Sequence, residues 1–440
     1  MPGASALPEE LLALIFSHLS VSKTLCDDAI DRNHGDKPQD YAGTLSTLAS
    51  LCLASKQCCR LARPLLYSTI YLDGGVDPAQ GQHRLQKLVR TLVYQPMFSS
   101  YVAKLWMGAM FSSCEQWNEE DSADSSHESW DLPYEDVVDS SRAFDQDDLS
   151  RRDLLDSLRD GNQDAHVALL LALCQELRNL SITLHRGFYD TRCFTNQVLS
   201  NSGRGLDPSI ESTSLALSSL RVLSMHKSPD ANDMFFSNIT NELQLVSLEV
   251  FHGSGLDCTA ENMEYDNFVS NLRRIDLDEC IVDADGLKLI MQGCSKLEDL
   301  AVVWADNCEV NFADIGTHLG RYGKCLKKLA LEQFDFNGEG GGLGDLSQMT
   351  SLKTLVVVAD LLVGTTDRTD ITLPKSLESL DVDLAGFLLD EDFWQQLRAV
   401  AERGKSHNLQ VINCGMGGGR RKENFWNKTA GYQVEFPIDA

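Results

Sequence analysis

The chain has 440 residues, of which 43% are hydrophobic, and its 65 acidic against 38 basic side chains give a formal net charge of −27. This acidic excess argues against binding to nucleic acid or to an anionic membrane, because both require clustered cationic side chains. The hydrophobic content is sufficient for a sizeable core.

The cysteines and the N-terminal residues bear on the cellular compartment. The 13 cysteines are odd in number, and most lie among apolar residues, as reduced thiols of cytoplasmic or nuclear proteins do. The first twenty residues contain no Lys or Arg, and no apolar run reaches membrane-spanning length. We therefore expect a cytoplasmic or nuclear protein, or both, that contacts no membrane.

The first predicted helix starts at Pro8, which suits a first turn because proline lacks an N–H group. Glu9 and Glu10 follow, where negative charge complements the helix dipole. The apolar stripe is wide for a short helix, so we expect part of it to pack internally and part to remain for a partner. Its members are Leu11, Leu12, Ile15, Phe16 and Leu19.

Two further apolar blocks, 51–56 and 61–67, predict a second and a third helix. Residues 20–44 before them are polar and rich in Asp, which predicts a surface insertion. The three helices would form one module over residues 1–66.

Together these blocks resemble an F-box, the three-helix module that docks proteins on the Skp adaptor of SCF ubiquitin ligases. The resemblance covers residues 6–72, although the connection 20–44 is longer and more polar than is usual in that family. It implies the Skp adaptor as a partner and, through it, the cullin–RING core. It also implies adaptor binding by Leu7, Pro8, Leu11, Leu12, Ile15, Phe16, Leu19, Leu53, Ala54 and Lys56.

Residues 67–112 predict a strand, a helix and a second strand that would begin a repeat array. The strand is 67–72, the helix ends before Pro96, and the next strand carries Val102, Leu105 and Met107. This order of elements also resembles fungal F-box proteins.

Residues 113–149 contain 13 Asp or Glu and one basic residue, Arg142, with few aliphatic side chains. This composition predicts a disordered acidic insertion. The alternative is an acidic recognition loop that uses Trp117, Trp130 and Tyr134.

A phrase of the form LxxLxL recurs through residues 150–414, and from Leu220 onward its copies begin 25 to 32 residues apart. Most of these spacings are typical of leucine-rich repeats, in which the last two apolar residues point inward from a short strand. The copies are Leu177/Leu180/Ile182, Leu220/Leu223/Met225, Leu245/Leu248/Val250, Leu272/Ile275/Leu277, Leu297/Leu300/Val302, Leu326/Leu329/Leu331, Leu352/Leu355/Val357, Leu377/Leu380/Val382 and Leu409/Ile412/Cys414.

The segments between the copies carry helix signals. Asp283, Asn311 and Asp390 are predicted to cap helices. Residues 272–287 resemble the cysteine-containing leucine-rich repeats of many F-box proteins, but most other copies lack the matching Cys or Asn, so we expect an irregular array. Residues 415–440 would form a C-terminal tail.

Signals for catalysis are weak. The glycine-rich run 338–344 lacks the Lys-Ser/Thr of a P-loop, and neither GxSxG nor HExxH occurs. The carboxylate pairs Asp276/Asp278 and Asp381/Asp383 could bind metal or act as acid and base, but a solvated sheet face explains them more simply. We therefore predict a non-catalytic protein with no catalytic residue, cofactor or metal.

Outward strand positions suggest where a protein substrate would bind. We predict an apolar anchor made of Phe251, Val303, Trp304 and Val356, with Asp276, Asp278 and Asp381 selecting a basic segment of the partner. The alternative is that tail aromatic residues cover this row, namely Phe425, Trp426, Tyr432 and Phe436.

The sequence thus predicts an α/β protein, with an N-terminal three-helix F-box followed by an irregular leucine-rich-repeat solenoid with a parallel sheet. Its expected function is substrate recognition for an SCF-type ubiquitin ligase, so that a bound protein is ubiquitinated and degraded by the proteasome. The alternative is an F-box and leucine-rich-repeat scaffold that acts outside a ligase.

Overall fold

The chain forms two compact units, Met1–Arg221 and Val222–Ala440, here called the N-terminal and C-terminal units. The computed structural model describes residues 8–19, 41–72, 78–108, 133–140, 144, 148–184, 193–203, 216–228, 236–237, 239–263, 269–306, 308, 310–333, 342–363, 372–383, 395 and 411–415.

Three helices open the N-terminal unit: α1 (Glu9–Ser17), α2 (Tyr41–Ala54) and α3 (Lys56–Ser68). They pack around a small apolar cluster whose fully buried members are Phe16, Leu48 and Ala62. We call these three helices the N-terminal module.

Two predicted boundaries of the module are wrong. The insertion was expected to run to residue 44, but α2 already begins at Tyr41, and the rest of the insertion lies outside the described residues. A strand was expected from Tyr67, but α3 continues to Ser68. Ser55 separates α2 from α3, and its Oγ accepts the N–H of Cys58 at 3.0 Å as an N-cap.

Tyr41 ties the module to the first strand. Its hydroxyl accepts the backbone N–H of Tyr71 at 3.0 Å and donates to the carbonyl of Thr69 at 3.4 Å. The side chain is buried, and Leu45, one turn further along α2, packs with it against Tyr71 and Trp106. The start of α2 is therefore fixed to the strand that follows α3.

Three parallel strands follow the module in this unit: β1 (Thr69–Leu72), β2 (Lys104–Met107) and β3 (Asn179–Leu184). Leu105 pairs with Ile70 and Leu180, and Met107 pairs with Leu72 and Ile182, as the repeated phrase predicts. The accompanying helices are α4 (Pro78–Tyr94), α5 (Tyr134–Ser140), α6 (Asp148–Arg159), α7 (Gln163–Leu173) and α8 (Phe194–Gly203).

Tyr134–Ser140 of the acidic segment form the helix α5, and residues 133, 144 and 148–149 are described as well, so the prediction of disorder is wrong at these positions. Tyr134 and Val138 lie one turn apart on α5 and are both buried, as is Phe144. The Tyr134 hydroxyl lies 3.3 Å from Nε2 of His166 on α7, and burial raises the pKa of Tyr134 to about 12. Trp117 and Trp130 lie outside the described residues.

Replacing Tyr134 by Ala should therefore lower the free energy of unfolding by about 3 kcal/mol, because a buried aromatic side chain and its polar contact are lost. Urea unfolding of the full chain, followed by circular dichroism, measures the change. Asp136→Ala, at an exposed position of the same helix, should change the stability by about 1 kcal/mol or less. Equal effects of the two substitutions would show that α5 does not pack on the core.

The C-terminal unit contains a parallel sheet, and its described strands follow the order β4-β6-β8-β9-β10-β11-β12-β13. These strands are β4 (Val222–Lys227), β6 (Val250–Ser254), β8 (Arg274–Cys280), β9 (Asp299–Trp304), β10 (Lys328–Gln333), β11 (Thr354–Val358), β12 (Ser379–Asp383) and β13 (Val411–Gly415). A separate small pair joins β5 (Phe236–Ser237) to β7 (Leu256–Asp257).

The inner face of the sheet, as we define it, carries the buried leucine rows. The first row is in register across seven strands, and each member is at most 1% exposed: Leu223, Phe251, Ile275, Leu300, Leu329, Leu355 and Leu380. The chain is thus a mixed α/β protein with parallel strands, as expected.

One copy of the repeated phrase was assigned three residues too early. The sequence suggested Leu245/Leu248/Val250, whereas the strand registers align Leu248, Phe251 and Gly253 with the neighbouring copies. At Gly253 an added Cβ would lie 2.3 Å from Cδ1 of Leu256 and 3.0 Å from Cε1 of Phe251. The side chains of Leu256 and Phe251 therefore fill the space that a side chain at position 253 would occupy.

The described helices of the C-terminal unit are α9 (Thr240–Leu243), α10 (Ala284–Gly293), α11 (Phe312–Tyr322) and α12 (Ala359–Val363). Two predicted caps are confirmed: Oδ1 of Asp283 accepts the N–H of Gly286 at 2.6 Å, and Oδ1 of Asn311 accepts that of Ala313 at 3.1 Å. The third, at Asp390, lies outside the described residues. No described helix of either unit is long and apolar enough to cross a membrane.

Glu242 on α9 is fully buried, and neither carboxylate oxygen has a hydrogen-bond partner within the described part of the chain. Burial raises the pKa of this carboxyl to about 7. The folded state thus holds the proton more tightly than the unfolded chain, so this group's stabilising effect is present below pH 4.5 and is lost as the pH rises to about 7.

Glu242→Gln should remove that pH dependence, because the amide remains neutral. We expect the variant to be more stable than the parent at pH 8 by up to about 3 kcal/mol and nearly equal to it at pH 4.5. Urea unfolding at both values measures the difference, with exposed Asp306→Asn as the control. A gain that does not depend on pH would contradict a buried neutral carboxyl.

Candidate functional site

The N-terminal module exposes four large apolar side chains, which we call the docking patch. Leu11 is 46% exposed, Leu14 58%, Ile15 49% and Leu53 88%. Leu11, Leu14 and Ile15 are spaced i, i+3 and i+4, so they lie on one side of α1. Exposed apolar side chains grouped in this way are typical of a surface that binds another protein.

The adjoining side of α1 supports the fold. Phe16 is buried in the module's core, and Leu12 and Leu19 pack against the same cluster. The wide apolar stripe therefore divides into an internal half and an exposed half. A substitution in the exposed half can change the surface while the core remains intact.

The turn Leu53–Lys56 lies at the same end of the module as the first turn of α1. All four of its residues are exposed. Arg60, one turn into α3, forms an ion pair with Glu9 at the start of α1. Both side chains are largely exposed, so the pair contributes at most about 1 kcal/mol, but it places the two helix ends together.

The predicted adaptor-binding residues fall into three groups. Pro8, Leu11, Ile15, Leu53, Ala54 and Lys56 are exposed; Leu12, Phe16 and Leu19 contribute to the internal cluster; and Leu7 lies outside the described residues. Pro8 precedes the helix rather than occupying its first turn, and its carbonyl accepts the N–H groups of Leu11 and Leu12 at 3.0 and 3.1 Å.

Phe16 is therefore corrected from a contact residue to a core residue. Leu14 was missed by the sequence interpretation, although its spacing from Leu11 was a sufficient signal.

The outer face of the C-terminal sheet is the second candidate surface. One of its rows follows the registers from His252 through Asp276, Ala301, Ala330 and Val356 to Asp381. Asp276, Val356 and Asp381 are half-buried, as is Asp278 in the adjacent row. These four of the seven predicted substrate-binding residues remain partly accessible.

Asp276 is engaged by two basic side chains of the protein itself. Its Oδ2 lies 2.8 Å from Nδ1 of His252 and accepts hydrogen bonds from Nη2 and Nε of Arg274 at 2.7 and 2.9 Å. Burial alone would raise the pKa of this carboxyl, but the hydrogen bonds and charges of His252 and Arg274 outweigh it and hold the pKa below its usual value. Asp276 therefore holds this part of the sheet together, and is not a free carboxylate awaiting a basic partner.

Three residues of the predicted anchor are buried. Phe251 belongs to the inner face, because of the shifted copy described above, and Trp304 also lies on that side, because strand residues alternate and Val302 is inward. The Trp304 indole N–H donates to the carbonyl of Val282 at 2.8 Å, and its ring packs edge-on against Phe312. Val303 lies on the outer face but is only 3% exposed.

Because Phe251, Val303 and Trp304 are buried, the predicted apolar anchor for a substrate is wrong at these three residues. The proposed covering residues Phe425, Trp426, Tyr432 and Phe436 lie outside the described part of the chain. Within that part, no three His, Cys, Asp or Glu side chains are grouped as a metal site requires.

Comparison of the sequence with protein-family models found no match, and comparison with curated proteins found none either.

Proposed function

We propose that this chain is a substrate-recognition subunit of an SCF-type ubiquitin ligase in the cytoplasm or nucleus. Its N-terminal module would act as an F-box and dock on the Skp adaptor, and residues 150–414 would act as an irregular leucine-rich-repeat array that binds the protein to be ubiquitinated. The chain would hold its partners close together, and the transfer chemistry would belong to the cullin–RING core and its E2 enzyme.

The docking patch carries the proposal. Leu11, Leu14 and Ile15 project from one helix whose other side is already buried, and Leu53 lies on the turn at the same end of the module. Burying such side chains against a partner is favourable by about 1.5–3 kcal/mol each, whereas leaving them in water gains nothing. The F-box resemblance of residues 6–72 supports the Skp adaptor as that partner.

Replacing Ile15 by Asp should abolish capture of the chain by purified Skp adaptor, because a carboxylate would be desolvated at the centre of the interface. We expect affinity to fall by about tenfold or more, which corresponds to ~1.4 kcal/mol. Leu53→Asp and the double variant Pro8→Ala with Ile15→Asp should behave alike. Binding is measured by pull-down and by titration calorimetry.

Val246→Asp is the matched control, because Val246 is 51% exposed and lies in the C-terminal unit. It should bind the adaptor like the parent chain, and urea unfolding should show that both variants remain folded. Full adaptor binding by Ile15→Asp would overturn the proposal. Adaptor binding without co-purification of cullin would instead favour a scaffold that acts outside a ligase.

For substrate binding we propose the part of the outer face around Val356 and Asp381, which are paired in register on β11 and β12. Both side chains are half-buried, and together they offer an apolar group and a carboxylate. This combination fits a basic segment that carries an apolar residue.

Proximity labelling with this chain, in cells whose proteasome is inhibited, should identify candidate substrates. Val356→Arg should remove a subset of the labelled proteins, because the introduced guanidinium repels a basic segment and fills the apolar site. The adaptor should still be labelled. Ile15→Asp should give the reverse pattern, with substrates labelled and the adaptor lost. An unchanged set of labelled proteins with Val356→Arg would place the substrate site elsewhere.

A further inference from the structure

A pair of cysteines lies beside the turn Leu53–Lys56. Cys52 is on the last turn of α2 and Cys59 on the first turns of α3, and both are partly exposed free thiols. The two helices pack side by side and are joined by Ser55 alone, so residues three before and four after it face each other. Burial raises the pKa of the Cys52 thiol, and the neighbouring Cys59 raises it further through its charge and a hydrogen bond between the two thiols.

A cation lies next to this pair. Nη2 of Arg63 is 3.0 Å from Sγ of Cys59, one helical turn away, and the guanidinium also stacks on the ring of Phe98. The charge is therefore held in place by packing as well as by the sulfur. The guanidinium thus fixes the position of the Cys59 sulfur next to Cys52.

Three cysteines elsewhere in the chain differ from this pair because their thiols are closed off from solvent. Cys174, Cys280 and Cys294 are buried, and burial raises the pKa of each of these thiols to about 12. They behave as small apolar core residues. The pair beside the turn combines access, a neighbouring thiol and a neighbouring cation.

We propose that Cys52 and Cys59 form a reversible disulfide when the chain meets hydrogen peroxide. The Cys59 thiolate attacks one peroxide oxygen, the O–O bond breaks, and a sulfenic acid and hydroxide are formed. The Cys52 thiol then attacks the Cys59 sulfur, the S–O bond breaks, and water leaves. Two thiols are oxidised by two electrons, one peroxide is reduced, and a dithiol reductant reverses the reaction.

The disulfide would enclose the turn Leu53–Lys56. A disulfide holds its two Cβ atoms about 3.8 Å apart, so the adjoining ends of α2 and α3 are drawn together around Leu53, Ala54, Ser55 and Lys56. The bond would hold Leu53 in one arrangement, so this side chain could no longer adjust to the partner. This second consequence depends on the proposed adaptor binding, whereas the disulfide itself does not.

The test treats the purified full chain with hydrogen peroxide, alkylates the remaining thiols and maps the cross-linked peptides by mass spectrometry. We expect a Cys52–Cys59 cross-link that dithiothreitol removes. Cys59→Ser should abolish it, and Cys52→Ser should leave a Cys59 sulfenic acid that dimedone traps. Arg63→Gln should slow the formation of that acid several-fold.

Cys58→Ser is the matched control, because Cys58 neighbours Cys59 in the sequence, is equally half-buried and should not take part. The cross-link should form in this variant at the parent rate. A cross-link through Cys58, or none between Cys52 and Cys59 in folded protein, would overturn the proposal.

A second measurement adds Skp adaptor after catalase has destroyed the peroxide, so that the adaptor's own thiols are not oxidised. The oxidised chain should bind about tenfold more weakly than the reduced chain, the loss expected when one anchor cannot adjust to the partner. The Cys52→Ser variant should be insensitive to the treatment. If the reduced chain binds no adaptor, the proposed function fails, while the peptide map still decides whether the disulfide forms.

Discussion

The in-register pairing of parallel strands is the constraint on which the C-terminal unit depends. Side chains alternate between the two faces of a strand, so a slip of one residue would turn every inner leucine outward and bring Asp276 and Asp381 into the core. Each buried leucine contributes about 1.5–3 kcal/mol, whereas a buried unpaired carboxylate costs several kcal/mol. Both effects favour the same register. This register also determines which charged and apolar side chains lie next to each other on the outer face.

Sequence reasoning assigned the inner strand positions correctly where one large aliphatic side chain fills each position. It failed where two neighbouring side chains together fill the space of one position. Leu300 and Leu329 were assigned correctly because each fills its own inner position. Phe251 was not, because its ring and Leu256 together fill the space beside Gly253, which no spacing rule for leucine detects. Tyr134 was missed for a different reason: acidic composition described the segment as a whole, whereas two buried side chains one turn apart were sufficient to order a helix within it.

The two candidate surfaces were predictable to different degrees. For the docking patch, helical periodicity identified the stripe, but only packing could divide it into the buried Phe16 and the exposed Leu14 and Ile15. For the outer face, the carboxylates were located correctly, and what sequence reasoning lacked was their neighbours. His252 approaches Asp276 from the adjacent strand, a contact that follows from strand register and not from distance along the chain.

The two hydrogen bonds of the Tyr41 hydroxyl to the backbone of β1 have a mechanical consequence. Twisting α2 about its own axis would swing the phenol away from Thr69 and Tyr71 and break both bonds at once. The junction between helix and strand therefore resists torsion. A partner bound at the exposed end of the module would therefore influence the orientation of the first strand through the two hydrogen bonds of Tyr41.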